Sequence, residues 1–165
     1  MATHVVIGDP HCTPKASNER FLWAGRLAAD VRATHIICMG DFCSMDSLSS
    51  YDKKKKSFEG RRYQKDMQHS HEALSLFNKG LGKHKARKIM LHGNHEDRID
   101  RFVDENPELD GTLKISDLNF KQYGWQEVPY KQNKVLNGVY YAHHFPSGIL
   151  GSAISGENIA RTLLT

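Results

Sequence analysis

The residues of this chain best equipped for chemistry are Asp9, His11, Asp41, Asn94, His95 and His143. They offer carboxylates, imidazoles and an amide oxygen, with no thiolate among them. Donors of that kind hold Mn²⁺, Fe, Zn²⁺ or Mg²⁺ rather than a cysteine-type zinc ion. A pair of such ions about 3.5–4 Å apart can polarise a phosphoryl group and supply hydroxide near neutral pH. The pair needs one ligand able to bridge, and a carboxylate such as Asp41 does this well. A single Asp or Asn in a turn would mean little, because both are common there. Four such turns in succession point to one shared centre.

Each of these residues follows a short apolar run. His4-Val5-Val6-Ile7 leads into Gly8-Asp9-Pro10-His11, and His35-Ile36-Ile37-Cys38-Met39 leads into Gly40-Asp41. Lys88-Ile89-Met90-Leu91-His92 leads into Gly93-Asn94-His95-Glu96, and Val139-Tyr140-Tyr141-Ala142 into His143-His144. Runs of this length, β-branched or aromatic and bounded by glycine, read as buried strands. Between the first two, residues 18–33 have helical spacing in Phe21, Leu22, Leu27, Ala28 and Val31, with Asn18 as N-cap. A second helix is expected over 62–79, with Met67, Leu74, Leu76 and Phe77 as its apolar members and Gly80 and Gly82 stopping it. Residues 126–142 hold no helix-length period and read as further strands joined by a turn at Asn137-Gly138. Strand, helix, strand, helix, strand is the order of an α/β fold with a largely parallel sheet. Ligands of such sheets gather beyond the carboxyl ends of the strands, where all six residues fall. Gly8, Gly40 and Gly93 would let the backbone turn tightly there.

A chain of 165 residues fits a single domain, here 1–165, with a hydrophobic core of its own. Its 39% hydrophobic and 25% charged residues exclude a disordered or fibrous protein. No apolar stretch approaches the ~20 residues that cross a bilayer. The first run stops at Gly8-Asp9, too early for a signal peptide, so a cytoplasmic location is expected. Cys12, Cys38 and Cys43 are odd in number and form no C-x-x-C pair, which speaks for reduced thiols. The formal charge of +4 suits a protein that meets anionic substrates.

Asp9-Pro10-His11, Gly40-Asp41, Gly93-Asn94-His95-Glu96 and His143 resemble the successive D-x-H, G-D, G-N-H-E/D and H motifs of the calcineurin-like metallophosphoesterases. The resemblance covers residues 9–143, and the stretch from Ser44 to Tyr63 is similar to small phage-encoded members, whose location would be the host cytoplasm. It implies a β-sandwich flanked by helices and a metal-dependent hydrolysis of phosphate esters. It also implies two divalent ions, with manganese favoured. Asp9 and His11 would bind the first ion, Asp41 would bridge, Asn94 and His143 would bind the second, and His95 would assist the leaving oxygen as a catalytic residue. Two departures stand out. The family usually has His-Gly where this chain has His143-His144, and strand alternation turns only one of the two toward the site. The family's last motif, G-H-x-H, has no counterpart after His143. A C-terminally truncated domain, ligands from water or a partner chain, and a lost metal function each account for that. A homodimer or partner chain could cover the sheet edge that truncation would open. The alternative to an enzyme is a catalytically weak or inactive member acting as a binding, regulatory or nucleic-acid-binding protein.

Lys53-Lys54-Lys55-Lys56, followed by Arg61-Arg62, reads as a solvated loop or as a phosphate-steering loop beside the site. Arg98 either contacts substrate phosphate or pairs with Asp97 or Asp100. His69, His71 and His84 read as surface histidines, and His92 as a packed one. Changing Lys53 to Lys56 to serine should weaken binding to DNA or RNA and flatten its salt dependence. Retardation assays across a salt series would show this, and unchanged curves would remove the steering role.

Overall fold

The computed structural model describes residues 2–144. Four parallel strands form one sheet in the order β1 (His4–Ile7), β2 (His35–Cys38), β3 (Arg87–Leu91) and β4 (Trp125–Val128). The helices between them are α1 (Glu19–Asp30), α2 (Tyr63–Leu81) and α3 (Arg98–Glu105). A second sheet is the antiparallel hairpin of β5 (Asn133–Leu136) and β6 (Val139–Ala142). The chain is thus α/β, with its two sheets in contact. The expected helix at the chain end, with Glu157, Ile159, Ala160, Leu163 and Leu164, lies outside the described residues.

Strand alternation sorts the core into two layers. Ile36, Cys38, Met90 and Trp125 face Phe21, Ala28, Leu74 and Phe77 of α1 and α2. Ile37, Ile89, Leu91 and Val128 face Leu136 and Tyr141 of the hairpin. β2 and β3 are therefore covered on both sides, which explains their unbroken apolar runs. The Tyr141 hydroxyl lies 2.6 Å from His4 Nδ1 and ties the hairpin to the edge strand β1. Asn137 and Gly138 have φ of 52° and 79°, the two left-handed residues that a two-residue hairpin loop requires.

Two readings of α1 and α2 need correction. Asn18 does stand at the N-cap of α1, its carbonyl accepting from Phe21 N–H at 3.0 Å, but its side chain makes no capping bond. Its amide instead donates to the His69 carbonyl at 3.0 Å and to Glu72 at 2.9 Å, so it fastens α1 to α2. Gly80 does not stop α2, which runs on to Leu81 before Gly82 ends it. The reason for Gly80 is steric. A Cβ there would stand 2.1 Å from the Leu22 carbonyl oxygen, and one on Gly25 would stand 2.2 Å from that of Phe77. The two helices cross backbone to backbone at these glycines. α3 was not expected; its apolar face is short, with Ile99 fully buried and Phe102 packed against the core one turn on.

Alanine exceeds glycine in helix propensity by ~1 kcal/mol, yet overpacking should win here. Gly25→Ala and Gly80→Ala should each destabilise the protein by about 2 kcal/mol or more in urea titrations. A gain in stability from either would show that the helices separate freely.

Candidate metal centre

The loops after β1, β2 and β3 meet at the carboxyl edge of the sheet. The parallel pairing of β1 and β2 continues past the strands. His11 N–H donates to the Asp41 carbonyl at 2.9 Å, Cys12 N–H to that of Phe42 at 2.7 Å, and Ser44 N–H to that of Cys12 at 2.9 Å. This sets His11 beside Asp41. Arg20, on α1, fixes the same loop by donating to the carbonyls of Pro10 and His11 at 2.9 and 3.0 Å.

Close backbone approach explains two of the three glycines. A Cβ on Gly40 would lie 2.5 Å from His143 Nδ1, and one on Gly93 would lie 2.0 Å from Asp41 Oδ1. Gly8 differs, because nothing lies within 4 Å of its position and its φ is not positive. Gly40 has a φ of 102°, and three of the acidic and histidine residues share positive angles. Asp9, His11 and Asp41 have φ of 29°, 47° and 48°. Non-glycine residues hold such angles where the surrounding structure imposes them, and these positions cluster at functional sites.

The Asp41 carboxylate occupies the middle of the site. Oδ2 lies 3.9 Å from His11 Nε2 and 3.8 Å from His95 Nε2. Asp41, His11 and His95 can therefore hold a metal ion, their three donor atoms lying within 4.8 Å of one another. Oδ1 faces the other way, 3.5 Å from His143 Nε2, which is itself 3.1 Å from Asn94 Oδ1. His143 Nδ1 is 2.7 Å from the Met39 carbonyl and so carries the proton. Imidazole nitrogens, a carboxylate and an amide oxygen thus converge on one point, and donors of that kind fit a divalent ion.

His95 is anchored in the same way. Its Nδ1–H donates to the Ser44 carbonyl at 2.9 Å, and its Nε2 accepts from Arg98 Nη2 at 3.0 Å. Burial, outweighing the nearby Asp41 charge, pushes the His95 pKa down and favours the neutral ring. Arg98 Nη1 also donates to Ser44 O, at 2.8 Å, and pairs with neither Asp97 nor Asp100. Asp97 pairs instead with Arg101 at 3.0 Å.

The structure thus brings His11, Asp41, Asn94, His95 and His143 together. Asp9 stands at the rim, its Oδ1 3.6 Å from His143 Nδ1, with its side chain 59% exposed. His143 turns inward, whereas His144 is exposed against the Tyr130 ring. The lysine run is only partly free. Lys53 pairs with Glu105 at 3.7 Å and Lys55 with Asp52 at 3.5 Å, and Arg61 also holds Asp52, at 2.8 Å. His92 packs against Glu127 at 2.8 Å. His84 is half-buried rather than solvated, bonded to the Ala33 carbonyl at 2.7 Å, and His69 and His71 likewise reach the carbonyls of Ala16 and Asp117.

Glu96 is the residue whose importance the sequence concealed. Its fully buried carboxylate accepts from Asp41 N–H at 3.0 Å, Cys43 N–H at 3.0 Å and Gly93 N–H at 2.7 Å. Burial outweighs those bonds and pushes its pKa up to about 7. The available signal was its place as the last residue of Gly93-Asn94-His95-Glu96.

The chain matches no protein-family model, no curated protein and no solved structure, so its function has to be read from the site. Among the described residues no helix is long and apolar enough to cross a membrane.

Glu96→Gln would turn an amide N–H₂ against at least one of the three backbone donors. It should destabilise the protein by about 2 kcal/mol. A urea midpoint equal to that of the unchanged chain would show that the three bonds contribute little.

Proposed function

We propose that this chain is a metal-dependent hydrolase of phosphate esters, built like the metallophosphoesterases that its motifs resemble. The observation that carries the reading is the Asp41 carboxylate, whose two oxygens face two separate groups of acceptors. His11, Asp41 and, by a turn of its exposed side chain, Asp9 would hold one divalent ion, and Asp41, His143 and Asn94 a second, which leaves His95 off the metals. Bound ions of this kind polarise the phosphoryl group and lower the pKa of water, whether Mn²⁺, Fe, Zn²⁺ or Mg²⁺ is the natural choice.

The protein's own groups supply orientation and charge. Arg98 is held at Nη1 by Ser44, while Nη2 rests on His95, a bond that an incoming phosphate oxygen can replace. Nε2 of His95 is then open to take up a proton and pass it to the leaving oxygen. The fixed Nδ1–H bond to Ser44 keeps the ring in the orientation this requires. Glu96, bonded only to backbone N–H groups, takes no part in the reaction and sets the spacing of the loops.

Hydrolysis of bis(p-nitrophenyl) phosphate with added Mn²⁺ tests the reading. Outer partners of metal ligands are worth ~10–100-fold, so Asp41→Asn, which alters a direct ligand, should lower kcat/KM by more than about 100-fold. Chelator should abolish turnover, and Mn²⁺ should raise the Tm of the unchanged chain but not of Asp41→Ala. Mn²⁺ binding without turnover would favour a binding or regulatory protein of the same build. Absence of both Mn²⁺ binding and turnover would overturn the proposal.

A further inference from the structure

The loop after β4 also opens at the carboxyl edge of the sheet, and it brings Tyr130 to the candidate metal centre. The side chain is half-buried, two residues past the strand, with its ring tilted against two imidazoles. Ring centres lie 6.2 Å apart for His143 and 5.9 Å apart for His144. Tyr130 therefore flanks the His143 side of Asp41, at Oδ1, whereas the His95 ring and Arg98 stand on the side of Oδ2.

The charged groups whose fields reach the Tyr130 hydroxyl are Asp97, Arg101 and Asp41. Asp97 and Arg101 pair with each other at 3.0 Å, and Arg101 donates to the Asn94 carbonyl at 2.9 Å. The hydroxyl thus looks onto the part of the centre formed by Asn94 and His143. No group among the described residues bonds it, whereas Tyr63 gives its hydroxyl to Asp117 at 2.9 Å and that of Tyr141 lies 2.6 Å from His4 Nδ1. A ring held in place with its O–H left open is a donor set for an acceptor that arrives from outside. Lys131, with its ammonium 5.4 Å from the Tyr130 ring centre, adds positive charge at the same rim.

We propose that Tyr130 is a substrate-binding residue whose hydroxyl donates a hydrogen bond to a phosphate oxygen on the His143 side of the centre. The inference rests on the phosphate-ester reading of the site. His95 and Arg98 serve the leaving oxygen and its neighbour from the other side, so the oxygen left for Tyr130 is one that stays on phosphorus. The phosphate is then gripped from two loops, after β3 and after β4.

Calorimetry on the whole chain with Mn²⁺ and inorganic phosphate tests the contact without relying on turnover. Tyr130→Phe keeps the ring against His143 and His144 and removes only the hydroxyl. It should weaken phosphate by about tenfold or more, the worth of one hydrogen bond to a charged group. The rise in Tm caused by Mn²⁺ should stay as in the unchanged chain. Tyr130→Leu, which keeps apolar bulk, should weaken phosphate at least as much. Unaltered phosphate affinity in Tyr130→Phe, with Mn²⁺ bound normally, would overturn the contact and leave the metal reading standing. Loss of the Mn²⁺ effect together with phosphate binding in Tyr130→Phe would make Tyr130 a support for His143, and would overturn the contact too. So would absence of Mn²⁺-dependent phosphate binding in the unchanged chain, while turnover of the diester would still decide the metal reading separately.

Discussion

The carboxylate of Glu96 has no contact with solvent, and its oxygens are taken up by the backbone N–H groups of Asp41, Cys43 and Gly93. Those groups belong to two loops that leave neighbouring strands, β2 and β3. Loops of this kind carry unsatisfied N–H donors where the sheet ends, and a buried donor without a partner is strongly unfavourable. One side chain meets three of them at once. The distance between the loops is thereby fixed, and with it the separation of Asp41 from Asn94 and His95. The Asp41 side chain completes the tie, since its Oδ1 accepts the His95 N–H at 2.9 Å.

From that tie the remaining geometry follows. Gly93 must be bare because Asp41 Oδ1 would collide with any Cβ there, and Gly40 must be bare to admit the ring of His143. The loop after β1 joins by continuing its pairing with β2, and the β5–β6 hairpin joins through Leu136 and Tyr141 on the opposite face of the sheet. Helices α1 and α2, crossing at Gly25 and Gly80, support the strands from behind. The site stands on rigid elements, and its polar side chains are held by backbone carbonyls at Met39 and Ser44.

Much of this was legible in the sequence because it depends on local pattern. Buried parallel strands must be apolar on both faces, so β2 and β3 announce themselves as continuous runs. Asn137-Gly138 marks its turn because few other pairs accept two left-handed residues. The acidic and histidine residues were legible through their position after strands, together with the resemblance of their motifs. What escaped depends on contacts between distant residues. Gly80 looks like a helix stop unless Leu22 is known to press against it, and the Asn18 side chain looks like a cap unless Glu72 is near. α3 was missed because its apolar period, Ile99, Phe102 and Val103, covers little more than one turn. Likewise His95 joins the group around Asp41 Oδ2, and Glu96 organises the loops, only because chain segments some 55 residues apart converge.

The hydrogen bond from His143 to Met39 spans 104 residues of chain. Hairpins with two-residue turns close in microseconds, whereas contacts between remote segments wait on a large loop closure. The β5–β6 turn can therefore close early, while His143, the residue after β6, reaches Met39 only once the parallel sheet has assembled. Half of the acceptor group around Asp41 Oδ1 is delivered by that late step. Maturation of the site thus reports completion of folding, and a chain arrested partway would carry most of its secondary structure without a finished centre.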